Sequence, residues 1–232
     1  MTLKNIKPDK QMALMLAKNQ LAELVHDAVA LEGILFTLPE IQMLMNGHTV
    51  GGHPLSDQQI AINQANAWGY LFDAIENGWF DLSARFAKDL HSIAGKEEAL
   101  TWGDYRHGGV TISGTEYLPP EPEELPALFE LMVAGALQIS DPYDRAIFVF
   151  LEMARSQFFY DVNKRMGRFM MNGVLLANGY PVINVPAKRR EEFDALMLTF
   201  YGSGYKAPMG AFLRSCIDPR AVGVMSGCPN GS

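Results

Sequence analysis

Between Gln157 and Arg168 the sequence reads Gln-Phe-Phe-Tyr-Asp-Val-Asn-Lys-Arg-Met-Gly-Arg, and here the chain concentrates groups that can do chemistry. One carboxylate (Asp161), one carboxamide (Asn163), a lysine (Lys164) and two arginines (Arg165, Arg168) form a polar insert between two apolar segments of helical period. Charged side chains at such a junction carry a desolvation cost unless something pairs with them. A helix beginning near Asn163 would offer free backbone N–H groups to an anion, with Arg165 and Arg168 three residues apart on one face. Asp161, just ahead of it, is a ligand type for a hard cation such as Mg²⁺. A phosphate with its metal accounts for all of these groups together. The plainer alternative is a helix–loop–helix whose charged tip is simply solvated.

The elements that must position this insert are helical. Ser140 and Asp141 are N-cap types and Pro142 suits a first turn, after which Ile147, Phe148, Phe150, Leu151 and Ala154 keep helical spacing. Phe169, Met170, Val174, Leu175 and Leu176 make the second stripe, which Gly179 ends. Near the N-terminus, Leu14, Ala17, Leu21, Leu24, Ala28 and Leu31 step by three and four, predicting one amphipathic helix over residues 10–31. Glu32 falls in its last turn, where a carboxylate opposes the helix dipole by a few tenths of a kcal/mol. It is either a tolerated surface glutamate or a partner for a cation elsewhere. Thr37 caps a short helix to Asn46, Ser56 caps a long one with Asn63 as a core amide, and Asp81-Leu82-Ser83 starts another through His91. Residues 123–139 and 191–200 read as further helices, and Phe212-Leu213 as the last core element. The stretch 108–117, with Val110 and Ile112 alternating about a Ser113-Gly114 turn, predicts a β-hairpin. Residues 218–232 lack periodicity and read as a loose tail.

The string 157–168 resembles the Fic/Doc (Fido) family motif, His-x-Phe-x-Asp/Glu-Gly-Asn-Gly-Arg-x-x-Arg. Phe159, Asp161, Asn163, Arg165 and Arg168 fall on its positions with unbroken spacing. Gln157 stands in place of the catalytic histidine, Val162 in place of the first glycine and Lys164 in place of the second. Asn-Lys-Arg also occurs in the Doc branch, which keeps the histidine. The segment from Ala28 to Gly33 is similar to the family's inhibitory helix, Ser/Thr-x-x-x-Glu-Gly/Asn, at Glu32 and Gly33 but not at Ala28, and Thr37-Leu38-Pro39-Glu40 follows as in the family. Trp102 to Arg106 resembles the entrance to the family's flap.

The resemblance implies an all-α, mainly helical Fic-like bundle with one β-hairpin flap. A single domain would span residues 1–217, with the inhibitory-type helix at 1–35, the flap at 105–118 and the motif helix–loop–helix at 140–180. It further implies AMP transfer from ATP, with Mg²⁺, to a hydroxyl of a protein target whose identity the sequence does not give. Asp161 would hold the metal, Asn163, Lys164, Arg165 and Arg168 the phosphates, and Ile112, Ser113, Gly114 and Thr115 an added strand of the target. Glu32 would pair with Arg168 and block the γ-phosphate. A carboxamide cannot accept a proton near neutral pH, so Gln157 removes the general base, a loss of typically ~10²–10⁴ in rate. The expectation is a protein adenylyltransferase with weakened or lost transfer, restrained by Glu32. A nucleotide- or protein-binding module without activity, and a Doc-like phosphotransferase, are the alternatives; whether the chain is an enzyme stays open.

Composition narrows the partners. A net charge of −7 argues against a nucleic-acid surface. No run reaches the ~18 apolar residues of a membrane span, and residues 4–10 are charged where a signal peptide would be apolar. The expectation is a cytoplasmic protein. Cys216 and Cys228 show no metal-ligand spacing and are expected to be inert. Homo-oligomerisation is left open.

Overall fold

The computed structural model describes residues 6–227. Among them eleven α-helices are formed: α1 (Lys10–Asn19), α2 (Leu21–Leu31), α3 (Leu38–Met45), α4 (Leu55–Glu76), α5 (Ala84–Ala94), α6 (Leu125–Leu137), α7 (Pro142–Ser156), α8 (Asn163–Ala177), α9 (Arg190–Ser203), α10 (Ala207–Ser215) and α11 (Pro219–Met225). The antiparallel α7–α8 pair is the centre. α6 and α10 cover α7, while α1, α4 and α5 cover α8. α8 is buried at thirteen of its fifteen residues. Gly167 lets the two axes close: a Cβ there would lie 3.0 Å from the Phe150 ring and 3.1 Å from its carbonyl oxygen.

Several starts follow from their caps. Asp141 accepts the Asp144 N–H, Ser83 accepts the Phe86 N–H, and Thr37 with Glu40 completes a capping box. Asn63 is the core amide its position suggested, accepting from Gln59 and donating to the Lys96 carbonyl at 2.7 Å. α4 begins at Leu55, directly after Pro54, with no side-chain cap from Ser56. No helix of the described residues is long and apolar enough to cross a membrane.

Three expectations need correcting. The predicted hairpin is absent: among the described residues no strand forms, and the only bridge pairs Ile183 with Ile217. Gly114 does turn the chain, at φ +84, but no backbone hydrogen bond joins the two arms of 107–120. A side chain serves them instead. Arg106, 1% exposed, donates to the carbonyls of Gly108 at 2.8 Å and of Pro120, strapping both ends of the segment to one guanidinium. The period-two pattern of Val110 and Ile112 seats Ile112 against the core, without a partner strand.

Secondly, the helix expected over residues 10–31 is two helices, divided at Gln20, whose side chain donates to Asp218 at 2.7 Å. Thirdly, the tail read as loose contains α11. Asp218 caps it by accepting the Arg220 N–H, Pro219 opens it, and Ala221, Val222 and Met225 are buried. Cys216 is buried; Cys228 lies outside the described residues.

Candidate functional site

The α7–α8 junction takes its shape from apolar anchors and two unusual backbone positions. Phe158 and Phe159 are fully buried and Val162 is nearly so. Gln157 ends α7 at φ +50, and Val162 precedes α8 at φ +66. The left-handed region is uncommon for any residue but glycine and worst for a β-branched one, so the requirement a glycine would meet at residue 162 is still imposed on valine. Asn163 holds the turn closed. Its carboxamide accepts the Phe159 N–H at 2.9 Å and donates to the Phe159 carbonyl at 2.7 Å and to Gln157 Oε1 at 3.1 Å. Both of its donors therefore serve the loop. The Gln157 amide also donates to the Ala154 carbonyl, and its backbone carbonyl accepts from Arg106 Nε at 2.6 Å.

α8 has no side-chain cap, because Val162 offers no acceptor. Its first turn bears Asn163, Lys164 and Arg165, with N–H groups that have no partner within the helix. This turn forms one wall of a cleft of about 380 Å³ to which Glu32, Asp161 and Gln157 also contribute. Thr111, Ile112 and Ser113 of the strap line it from the other side. Gly114 instead lies against Leu198, and the Thr115 hydroxyl accepts the Tyr117 N–H. One carboxylate oxygen of Asp161 accepts the Val162 N–H at 2.6 Å.

Glu32 reaches this site from the end of α2. Its carboxylate lies 3.5 Å from Lys164 Nζ, 3.5 Å from Arg168 Nη2 and 3.9 Å from Arg165 Nε. Burial opposes its charge, yet Lys164, Arg168 and Arg165 together hold it below the ordinary carboxylate range. Arg168 lies behind it, 7% exposed; burial lowers its pKa against the pull of Glu32. So the loop cations, Glu32 and part of the strap converge, while Gly114 and Thr115 stand apart.

Two neighbours, Glu98 and His91, were not among the residues that the sequence assigned to the site. Glu98 fills the fork of Arg165, its Oε2 accepting from Nη1 at 2.8 Å and its Oε1 from Nη2. Burial opposes the Arg165 charge, but Glu98 and Glu32 more than offset it and raise its pKa. His91 stacks on Phe159 with ring centroids 3.8 Å apart and accepts the Gly103 N–H at Nδ1. Burial pushes its pKa down to about 4, and at 0% exposure it cannot reach a substrate. Arg106 could have been suspected from the Gly-x-Tyr-Arg pattern; for Glu98 and His91 there was no local signal.

Residues 81–175 match the model of the Fic/DOC family. Similar curated proteins include protein adenylyltransferase Fic of Drosophila persimilis and of Drosophila melanogaster, each 22% identical over 200 residues. Those matches take in 84% of this chain and 39% and 40% of the two relatives, so the chain spans about two fifths of their length. Among solved structures, a Fic domain-containing signaling protein from Bacteroides thetaiotaomicron superposes with a TM-score of 0.76 at 20% identity, covering 97% of this chain and 92% of that one. Fic-1 from C. elegans gives 0.76 at 18% identity, covering 91% and 62%. Residues 81–175 are thus similar to the Fic/DOC family, and the chain has the helical fold of the Fic proteins of known structure.

Proposed function

We propose that this chain binds ATP at the start of α8 and is a Fic-type protein adenylyltransferase whose transfer is weakened or lost through Gln157 and restrained by Glu32. The observation that carries this reading is the uncapped first turn of α8, with Lys164 and Arg165, facing Glu32 across one cleft. A helix start with basic side chains suits phosphate, and Glu32 stands where a phosphate would meet those cations. Asp161 suits Mg²⁺ arriving with the nucleotide, because that ion needs only one or two carboxylates besides substrate phosphates. Among the described residues no cluster of three or more His, Cys, Asp or Glu could hold a metal alone. The ion would offset charge on the phosphates. Lys164 and the backbone would orient them, and the strap at Ile112 and Ser113 would present the acceptor segment.

A second reading, a nucleotide-binding module without transfer, is favoured by the state of Gln157. Its carboxamide is engaged by Asn163 and Ala154, and the nearby His91 is buried and neutral. The two readings part on one experiment: titration with ATP and Mg²⁺, beside transfer from α- and γ-labelled ATP, for wild type and Glu32→Gly. Tighter binding with α-label transfer in Glu32→Gly supports the transferase. Tighter binding without transfer leaves the module, and γ-label transfer points to a phosphotransferase. Unchanged binding in Glu32→Gly overturns the restraint by Glu32.

A further inference from the structure

Arg165 is the third residue of α8 and borders the cleft, yet its guanidinium fork is closed by a carboxylate 67 residues away in sequence. The Glu98 pair is bidentate and mostly buried, with side-chain exposures of 4% for Arg165 and 16% for Glu98. It is separate from the Glu32 contact, which reaches Arg165 only at Nε and 3.9 Å. Two planar oxygens on a guanidinium fork reproduce what a phosphate would supply there. We propose that Glu98 is an internal competitor for phosphate, holding Arg165 independently of Glu32 and so setting the affinity of the site for nucleotide. This rests on the nucleotide reading given above.

The turn that carries Glu98 is built to hold it and able to let it go. Asn63 of α4 pins the turn through the Lys96 carbonyl, not through Glu98 itself. Glu97 is held at φ +62, a strained value for a residue with a side chain. Glu98 also lines a second, open cleft of about 400 Å³, together with Leu55, Gln59, Lys96 and Glu97. A carboxylate displaced from Arg165 can therefore turn into solvent while the turn stays pinned to α4. A phosphate taking its place leaves Arg165 paired, which a buried guanidinium requires.

The test is calorimetric titration with Mg²⁺ and ATP of wild type, Glu98→Gln, Glu32→Gly and the double variant, each checked for folding by thermal melting. Glu98→Gln is isosteric and should tighten binding tenfold or more, and by a similar factor in the Glu32→Gly background. Glu98→Asp, which keeps the charge but not the reach, should fall between and serves if the glutamine variant does not fold. Unchanged or weaker binding in both Glu98 variants, with Glu32→Gly still binding, overturns this inference alone and makes Glu98 a positioning partner of Arg165. Absence of binding in every variant overturns the nucleotide reading, and this inference with it.

Discussion

Segments 157–162 and 107–121 line opposite sides of one cleft and are held in contrasting ways. The first is short, its apolar side chains are buried, and Asn163 closes it with three hydrogen bonds, so two non-glycine residues stay in the left-handed region. The second has no backbone ladder and depends on Arg106, on Ile112, and on Tyr117 beneath the Arg155 guanidinium, 4.4 Å from its ring centre. Strain persists only where the surroundings over-determine the backbone. The junction before α8 is thus preorganised, while the arms of the strap make no backbone hydrogen bonds to one another.

The largest expected effect tests whether the junction retains catalytic geometry. Histidine is among the residues that tolerate the left-handed region, so Gln157→His fits the backbone at φ +50 and supplies an imidazole able to accept a proton near neutral pH. Combined with Glu32→Gly it should raise AMP transfer by up to ~10²–10⁴ over Glu32→Gly alone. A double variant that binds ATP and stays inert would show that the loop holds phosphate without aligning it.

Arg106→Ala should break the link between the two segments. It leaves the half-buried carbonyls of Gln157, Gly108 and Pro120 without their donor, a loss of roughly 3–5 kcal/mol. Urea denaturation measures it, and amide exchange should show the strap opening first. A loss below about 1 kcal/mol would mean that the strap is held by apolar contacts alone.

Acid should loosen the junction from beneath. His91 is neutral when folded, with a pKa of about 4 against an ordinary 6.5. As pH falls, the unfolded chain takes up the proton first. The contribution is therefore complete above pH 6.5 and is lost between there and about pH 4, amounting to about 3 kcal/mol. Glu32, held below its ordinary value, adds a loss at lower pH in the same direction. His91→Asn should flatten the upper part of the profile.

The smallest effect is Val162→Gly. It relieves left-handed strain of about 1–2 kcal/mol but gives up a buried side chain worth about 1.5–2 kcal/mol and adds unfolded-state entropy, so stability should change by less than about 1.5 kcal/mol. A stabilisation beyond that would show the junction to be less tightly determined than its hydrogen bonds imply.

How much could be read beforehand depended on whether a signal was local. Asp141, Pro142 and Gly179 mark the motif helices by chemistry that acts within a turn, and Asp161 to Arg168 named the cations directly. Glu32 became legible as their partner only through the resemblance. Glu98 did not: nothing in its local sequence marks its carboxylate, and only the turn that follows α5 brings it to Arg165. The hairpin was misread because alternation reports which side chains face the core, not where backbone groups find partners. At Gln20 the three-and-four spacing runs on through a break in the backbone. α11 was missed although Asp218-Pro219 is an ordinary helix start, because a helix of 7 residues is too short to show a clear period.

The pairing of α7 with α8 also sets an order of events. The two helices are joined by only six residues, 157–162, and share the most extensive helix contact in the molecule. Contacts close in sequence cost little loop entropy and form early. The first turn of α8 should therefore be assembled in the folding transition state, with Glu32 arriving later because α2 is separated from α8 by more than a hundred residues. Truncations in the α7–α8 interface should then slow folding, whereas those that loosen α2 should mainly speed unfolding. For an interval in each molecule's folding, Lys164 and Arg168 would stand without the carboxylate that meets them in the folded state.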